Sequence, residues 1–236
     1  MHLNHRTRVA AQRREEMHLH LLVSGLLLAS IKPIHEIEIE DVIKHAQVSR
    51  GSFYNYFQSL QALYDELARK LMQELFSEIE ILAPRHSDTV ERLASTIRLL
   101  IRLLVKYPVL GSFITKIQWP QKNQNWELFQ AITRDISLGI DEGKFTNMPV
   151  SIGANIAIGS IIGGVHTMLL ERFAEGFEDK IANQVLIGLG VTTQAACAYS
   201  QLQLPEYNGF PDTGILGKLA DKSAHEAEFG GFQWKK

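Results

Sequence analysis

A single cysteine, Cys197, stands in 236 residues, so no disulfide can close within the chain, and a reducing compartment suits it. Net charge is nearly absent too. At -2, with 21% charged residues, the chain offers no global attraction to a polyanion, so any such contact must come from a local patch. Apolar residues reach 45%, enough for a substantial core and too many for a disordered chain. The sequence shows no nucleophile–base pairing, no glycine-rich phosphate loop and no dense cluster of metal ligands. His18 and His20 are two residues apart and cannot share a helix face. No cofactor or metal is expected, and catalysis is not the leading reading. No basic leader followed by an apolar stretch and a small-residue cleavage site is seen, so the expectation is a cytoplasmic protein.

Prolines are few and punctuate the chain. Pro33, Pro84, Pro108, Pro120, Pro149 and Pro205 fall between periodic apolar stretches. Proline inside a helix costs about 3 kcal/mol and therefore marks ends. The blocks between them read as helices over about 6–30, 38–45, 49–57, 59–83, 87–107, 109–118, 125–142, 149–174 and 177–199. The 59–83 block carries Leu60, Leu63, Leu67, Leu71, Leu75, Ile79 and Leu82 at steps of three or four. The expected architecture is all-α with about nine helices: a small domain over 1–60, a helical domain over 61–199, and a glycine- and proline-containing tail over 200–236 that packs loosely. The run Val150–Leu170 has no Asp, Glu, Lys or Arg and could span a bilayer by length. Asn155 and His166 within it would need partners in lipid, so no membrane is expected.

The informative stretch is 37–67. The alternation Ile37-Glu38-Ile39-Glu40 has a strand period, but Ile39, Val42, Ile43 and Ala46 continue at helical spacing, and helix is the reading. Two short helices then flank a turn at Ala46-Gln47-Val48, with Ser49 placed to cap the second. Val42, Ala46, Val48, Phe53 and Phe57 would face inward. Arg50, Gly51, Ser52, Tyr54, Asn55 and Tyr56 remain outside: a guanidinium fork, hydroxyls, an amide and a residue without a side chain. These suit a helix lying in a DNA major groove. Upstream, Arg6 and Arg8, with Arg13 and Arg14, suit either a solubilising end or an arm along a backbone or minor groove.

At Val48-Ser49-Arg50-Gly51-Ser52-Phe53-Tyr54-Asn55-Tyr56-Phe57 the chain resembles the recognition-helix signature of the TetR family of tetracycline-repressor-like regulators. The motif covers about 15–75 and the helix arrangement about 6–199. The resemblance implies three N-terminal helices that bind double-stranded operator DNA, with the remainder binding ligand. It also implies a homodimer in which the last two helices form a four-helix bundle with their mates. Three positions depart from the pattern: Glu38 where a threonine or serine starts the second helix, Gln47 at a glycine of the turn, and Leu60 at a lysine that touches phosphate.

In the larger domain, Tyr107, Phe113, Trp119, Trp126 and Phe129 gather near helix junctions. Phe113, Trp119, Trp126 and Phe129 are candidate walls of a pocket for a small apolar effector, with Asn155 and His166 as polar anchors. Gly159, Gly163 and Gly164 would allow close helix approach in the dimer. The reading is a ligand-responsive DNA-binding regulator, most often a repressor in this family. A membrane-associated helical protein and an enzyme without a recognisable motif are the alternatives.

Overall fold

A computed structural model describes residues 2–83, 88–117, 127–171 and 176–220, with side chains from Thr7 onward. Helices are the regular structure throughout the described residues, and they divide between two compact units, 1–74 with 208–236, and 75–207. The division falls inside a helix, α4.

The first unit begins with α1 (His2–Ile31), a 3-10 turn (Ile34–Glu36), α2 (Ile39–Ala46), α3 (Arg50–Tyr54) and the first part of α4 (Leu60–Leu82). The alternating Ile37-Glu38 pair is extended backbone that ends the 3-10 turn and caps α2, which accounts for its strand-like period. The expected stripe of α4 is buried at Leu63, Leu67, Leu71, Leu75 and Ile79. Tyr64 donates its hydroxyl to the Gly25 carbonyl of α1 at 3.2 Å, and burial pushes its phenol pKa up.

The tail was expected to be loose, but its described part is not. Phe210, Ile215, Leu216 and Leu219 are buried. Residues 214–220 are helical, and the Glu74 carboxylate of α4 accepts from the Ile215 and Leu216 backbone N–H groups at 3.0 and 2.9 Å. A carboxylate at a helix start satisfies free N–H groups and complements the helix dipole.

The second unit holds α5 (Thr89–Lys106), α6 (Pro108–Lys116), α7 (Glu127–Asp141), α8 (Val150–Leu170), α9 (Phe177–Gly188) and α10 (Thr193–Ser200). Its central helix, α5, packs against α6, α7, α8, α9 and α10, and is buried along most of its length. Asp88 caps it through the Val90 and Glu91 N–H groups. Pro108 opens α6 at its first turn, where its missing N–H costs nothing.

The expected single helix over 177–199 is broken in two. Gly190 has φ +95°, its N–H bonds to the Ile187 carbonyl, and the Val191 N–H reaches back to Leu186. That pattern closes a helix. A side chain at Gly190 would collide with Thr146, so the left-handed position is also sterically reserved for glycine. Thr192 then caps α10 by accepting from the Ala195 N–H.

α8 meets the length and hydropathy of a membrane-crossing segment. In this fold it packs against α5, α6, α7 and α9, burying Gly153, Ala154, Ala157, Ile158, Ile161 and Val165.

Candidate nucleic-acid interface

The candidate interface is built from α2, the turn and α3. Glu38 stands at the helix start in extended conformation. Its own N–H is held by the Asp41 carboxylate at 2.9 Å, and Lys32 pairs with the same carboxylate at 2.6 Å. Those two contacts, the Glu38 N–H first, hold the Asp41 carboxyl below its ordinary range. The departure at Glu38 therefore leaves the helix start intact, because the cap is made from within α2.

Gln47 sits in the left-handed region at φ 54°, ψ 42°, the one non-glycine residue there among the described residues. This is the turn position where the resemblance expects glycine. A left-handed L-residue costs about 1–2 kcal/mol relative to glycine, so the turn carries local strain.

Ser49 accepts from the Ser52 N–H at 3.1 Å and its hydroxyl meets that of Ser52 at 2.9 Å, starting α3 as expected. Phe53 and Phe57 are buried with Val42 and Ala46, while Val48 is only half-buried. His18 of α1 stacks on Phe57 with ring centroids 5.2 Å apart, and its Nε2 lies 3.2 Å from Glu66 of α4. His20 meets the Ala46 carbonyl at 3.0 Å. Both histidines thus fix α1 within the first unit, a role that their spacing in sequence did not suggest.

Outside, Arg50, Gly51, Tyr54 and Asn55 are exposed, and Ser52 and Tyr56 are half-buried. The six residues read from sequence therefore fall on one short helix and its C-terminal turn, over the Phe53–Phe57 core. Arg50 Nη1 lies 2.7 Å from Glu40 Oε1 of α2. A side chain at Gly51 would meet only Ser49 Oγ, at 3.9 Å. Packing among the described residues therefore does not require glycine there. Gly51→Ala is expected to stabilise the unit by up to about 1 kcal/mol while weakening DNA binding, as read by thermal unfolding beside a binding titration. A parallel gain in both would remove Gly51 from the interface.

Arg8, Arg13 and Arg14 are exposed on α1, and Arg6 belongs to the same helix with its side chain outside the described residues. The N-terminal stretch is thus helical and not an extended arm. A helix about 10–12 Å across does not enter a minor groove about 6 Å wide. Of the two DNA contacts considered for these arginines, the phosphate backbone is the one a helix can make.

The described ligand-site candidates divide between buried and exposed positions. Phe113 on α6 is fully buried and Phe129 on α7 is half-buried, while Trp119 and Trp126 lie outside the described residues. Asn155 and His166 are exposed on α8. They share a face with Ile152, Gly159, Gly163 and Leu170, opposite the buried side of that helix. A side chain added at Gly159 or Gly163 would meet nothing within 4 Å, whereas one at Gly164 would strike Ile181 of α9. Among the described residues, Gly164 therefore serves packing and the other two do not.

The sequence reading also missed the arginines of α5. Arg92 makes a two-pronged pair with Asp135 of α7, both bonds 2.9 Å. Arg98, almost wholly buried, donates to Asp179 of α9 and to the Leu202 carbonyl, each at 2.6 Å. Arg102 meets Glu178 at 2.7 Å. The signal available in sequence was three arginines spaced along a largely apolar helix.

Comparison with known proteins gives the same outline. Residues 21–67 match the family described as bacterial regulatory proteins of the tetR family, and 88–199 match the tetracyclin repressor-like C-terminal domain. No curated protein sequence matches significantly. Among solved structures, RolR in complex with resorcinol superposes with a TM-score of 0.66 at 23% identity, covering 83% of this chain and 98% of that one. A tetR family transcription regulator from Shewanella sp. PV-4 gives 0.67 at 15% identity, over 75% and 99% of the two chains. FadR from Bacillus subtilis in complex with stearoyl-CoA gives 0.57 at 19% identity, over 72% and 96%.

Proposed function

The chain belongs to the TetR family of bacterial regulatory proteins, and from that premise we propose that it is a cytoplasmic, homodimeric repressor released from its operator by a small, mostly apolar effector. The observation that carries the reading is α3: a capped helix with Phe53 and Phe57 buried beneath it and Arg50, Ser52, Tyr54, Asn55 and Tyr56 on its outer side. In this reading Arg50 reads a base edge, and Tyr54 and Tyr56 position the phosphate backbone.

Arg50→Ala tests this directly. A two-pronged arginine–guanine contact contributes about 1–3 kcal/mol of discrimination. The variant should lose that much preference for operator over scrambled duplex in a titration at fixed salt. Equal affinities to the parent on both duplexes would mean that Arg50 does not read DNA.

The exposed face of α8 supports the dimer. Glycine in an exposed helix costs about 1 kcal/mol relative to alanine, yet Gly159 and Gly163 serve no contact among the described residues. Ile152 and Leu170, 50% and 71% exposed, extend the same face. Apolar residues and paired glycines on one helix side suit another helix packed closely against it. Asn155 and His166 accordingly belong to this dimer face in our reading, and no longer to the effector site.

For the effector, the wall candidates that remain are Phe113 and Phe129, with Trp119 and Trp126 retained from sequence. The three α5 arginines are each neutralised by a carboxylate, so they offer no free counter-charge to a strongly anionic ligand. An uncharged or weakly charged molecule fits better. The structure of RolR with resorcinol, a small uncharged aromatic, supports a ligand of that class in this fold. Effector binding would favour a dimer geometry whose two reading heads no longer match adjacent major grooves.

A further inference from the structure

We propose that Glu40 is a positioning residue for base reading: its carboxylate holds one edge of the Arg50 guanidinium so that the other edge faces the base pair. The inference rests on the reading that Arg50 contacts a base. Glu40 lies in the first turn of α2 and Arg50 is the first residue of α3, so the pair bridges the two helices across the turn. The contact, Arg50 Nη1 to Glu40 Oε1 at 2.7 Å, is made by side chains that are 63% and 57% exposed. A pair so open to water contributes little to folding. The contact nonetheless biases the direction of a long side chain.

The guanidinium is a rigid plane with five N–H donors. With Nη1 on Glu40, the Nε and Nη2 edge is free to meet guanine O6 and N7 side by side. An unheld arginine has many rotamers to lose on binding and can turn to any nearby phosphate. Glu40 opposes both. It pre-orients the fork, and its own negative charge is repelled by the DNA backbone, which weakens binding wherever the correct base is not there to compensate. Glu40 therefore raises the ratio of specific to non-specific binding rather than the affinity itself.

The test uses the full chain and duplexes selected from random DNA. Selection with the parent and with Arg50→Ala identifies the base pair whose preference Arg50 carries. Affinities are then measured at fixed salt for the selected duplex, for the same duplex with that pair replaced, and for scrambled DNA. Glu40→Ala should cut discrimination at that pair about three- to tenfold and strengthen binding to scrambled DNA about two- to fivefold. Glu40→Gln, whose amide oxygen can still accept from Arg50, should lie between. In the Arg50→Ala background, Glu40→Ala should leave the discrimination unchanged. A merely structural role would instead lower the thermal midpoint and both affinities together, and would overturn the proposal. So would equal strengthening on matched and replaced duplexes, which would make Glu40 a repelling charge alone and leave the Arg50 reading standing. If Arg50→Ala alters preference at no position, the base-reading premise fails and the proposal with it.

Discussion

Gly163→Leu should convert the protein from a dimer to a folded monomer. Among the described residues nothing lies within 4 Å of a side chain added there, so the helix accepts leucine without collision with them. In the proposed dimer the same position faces a second α8. Forcing extra methylenes into a packed contact costs about 1–3 kcal/mol per site, and two-fold symmetry places the substitution in the interface twice. Association should weaken by about 2–6 kcal/mol, roughly thirtyfold to twenty-thousandfold. Sedimentation at micromolar concentration should show the mass of one chain with unchanged helicity, and operator affinity should fall with it, since two joined heads bind far more tightly than one. Gly164→Leu is the contrasting control: it collides with Ile181 and should damage folding. A Gly163→Leu protein that remains dimeric would remove the outer face of α8 from the interface.

Leu216→Ala should destabilise the DNA-binding unit by about 2–5 kcal/mol, the range for a fully buried leucine, although it lies about 160 residues beyond α3 in sequence. Leu216 is 1% exposed and groups with residues 1–74, and its N–H is held by Glu74. Against a typical domain stability of about 5–15 kcal/mol, that is a large fraction. Amide exchange in the Leu21–Ala29 stretch of α1 should accelerate by roughly thirtyfold or more where it follows unfolding of the whole unit. Glu74→Ala, which leaves the apolar contacts in place and frees two N–H groups, should act in the same direction by about 1–3 kcal/mol. A change below about 0.5 kcal/mol for Leu216→Ala would mean that the segment lies on the unit without supporting it.

What the sequence revealed and what it concealed divide along physical lines. The long helices were legible because their apolar residues recur at helical spacing, as along α4 from Leu63 to Ile79. The recognition helix was legible because cap, buried aromatics and outer polar groups are all local, within Ser49–Phe57. The break at Gly190 was missed because Gly188 and Gly190 resemble tolerated helix glycines until the collision with Thr146, 44 residues earlier, is known. The tail was misread because Phe210, Ile215, Leu216 and Leu219 are interspersed with glycine and proline, and Glu74, which holds the Ile215 and Leu216 N–H groups, is remote in sequence. Asn155 and His166 looked like polar anchors inside an apolar helix. Only the fold shows that they point away from the core, on the side of the paired glycines.

The most direct test of the account is selection of random duplex DNA by the purified full chain, with the enriched sequences aligned. A dimer with one α3 per protomer predicts an inverted repeat whose half-sites are separated by about one helical turn, 34–36 Å, or a multiple of it. Binding to the enriched duplex should exceed binding to scrambled DNA by about 10³-fold or more at physiological salt. Retention of DNA with no enriched motif, and equal affinity for selected and scrambled duplexes, would contradict it.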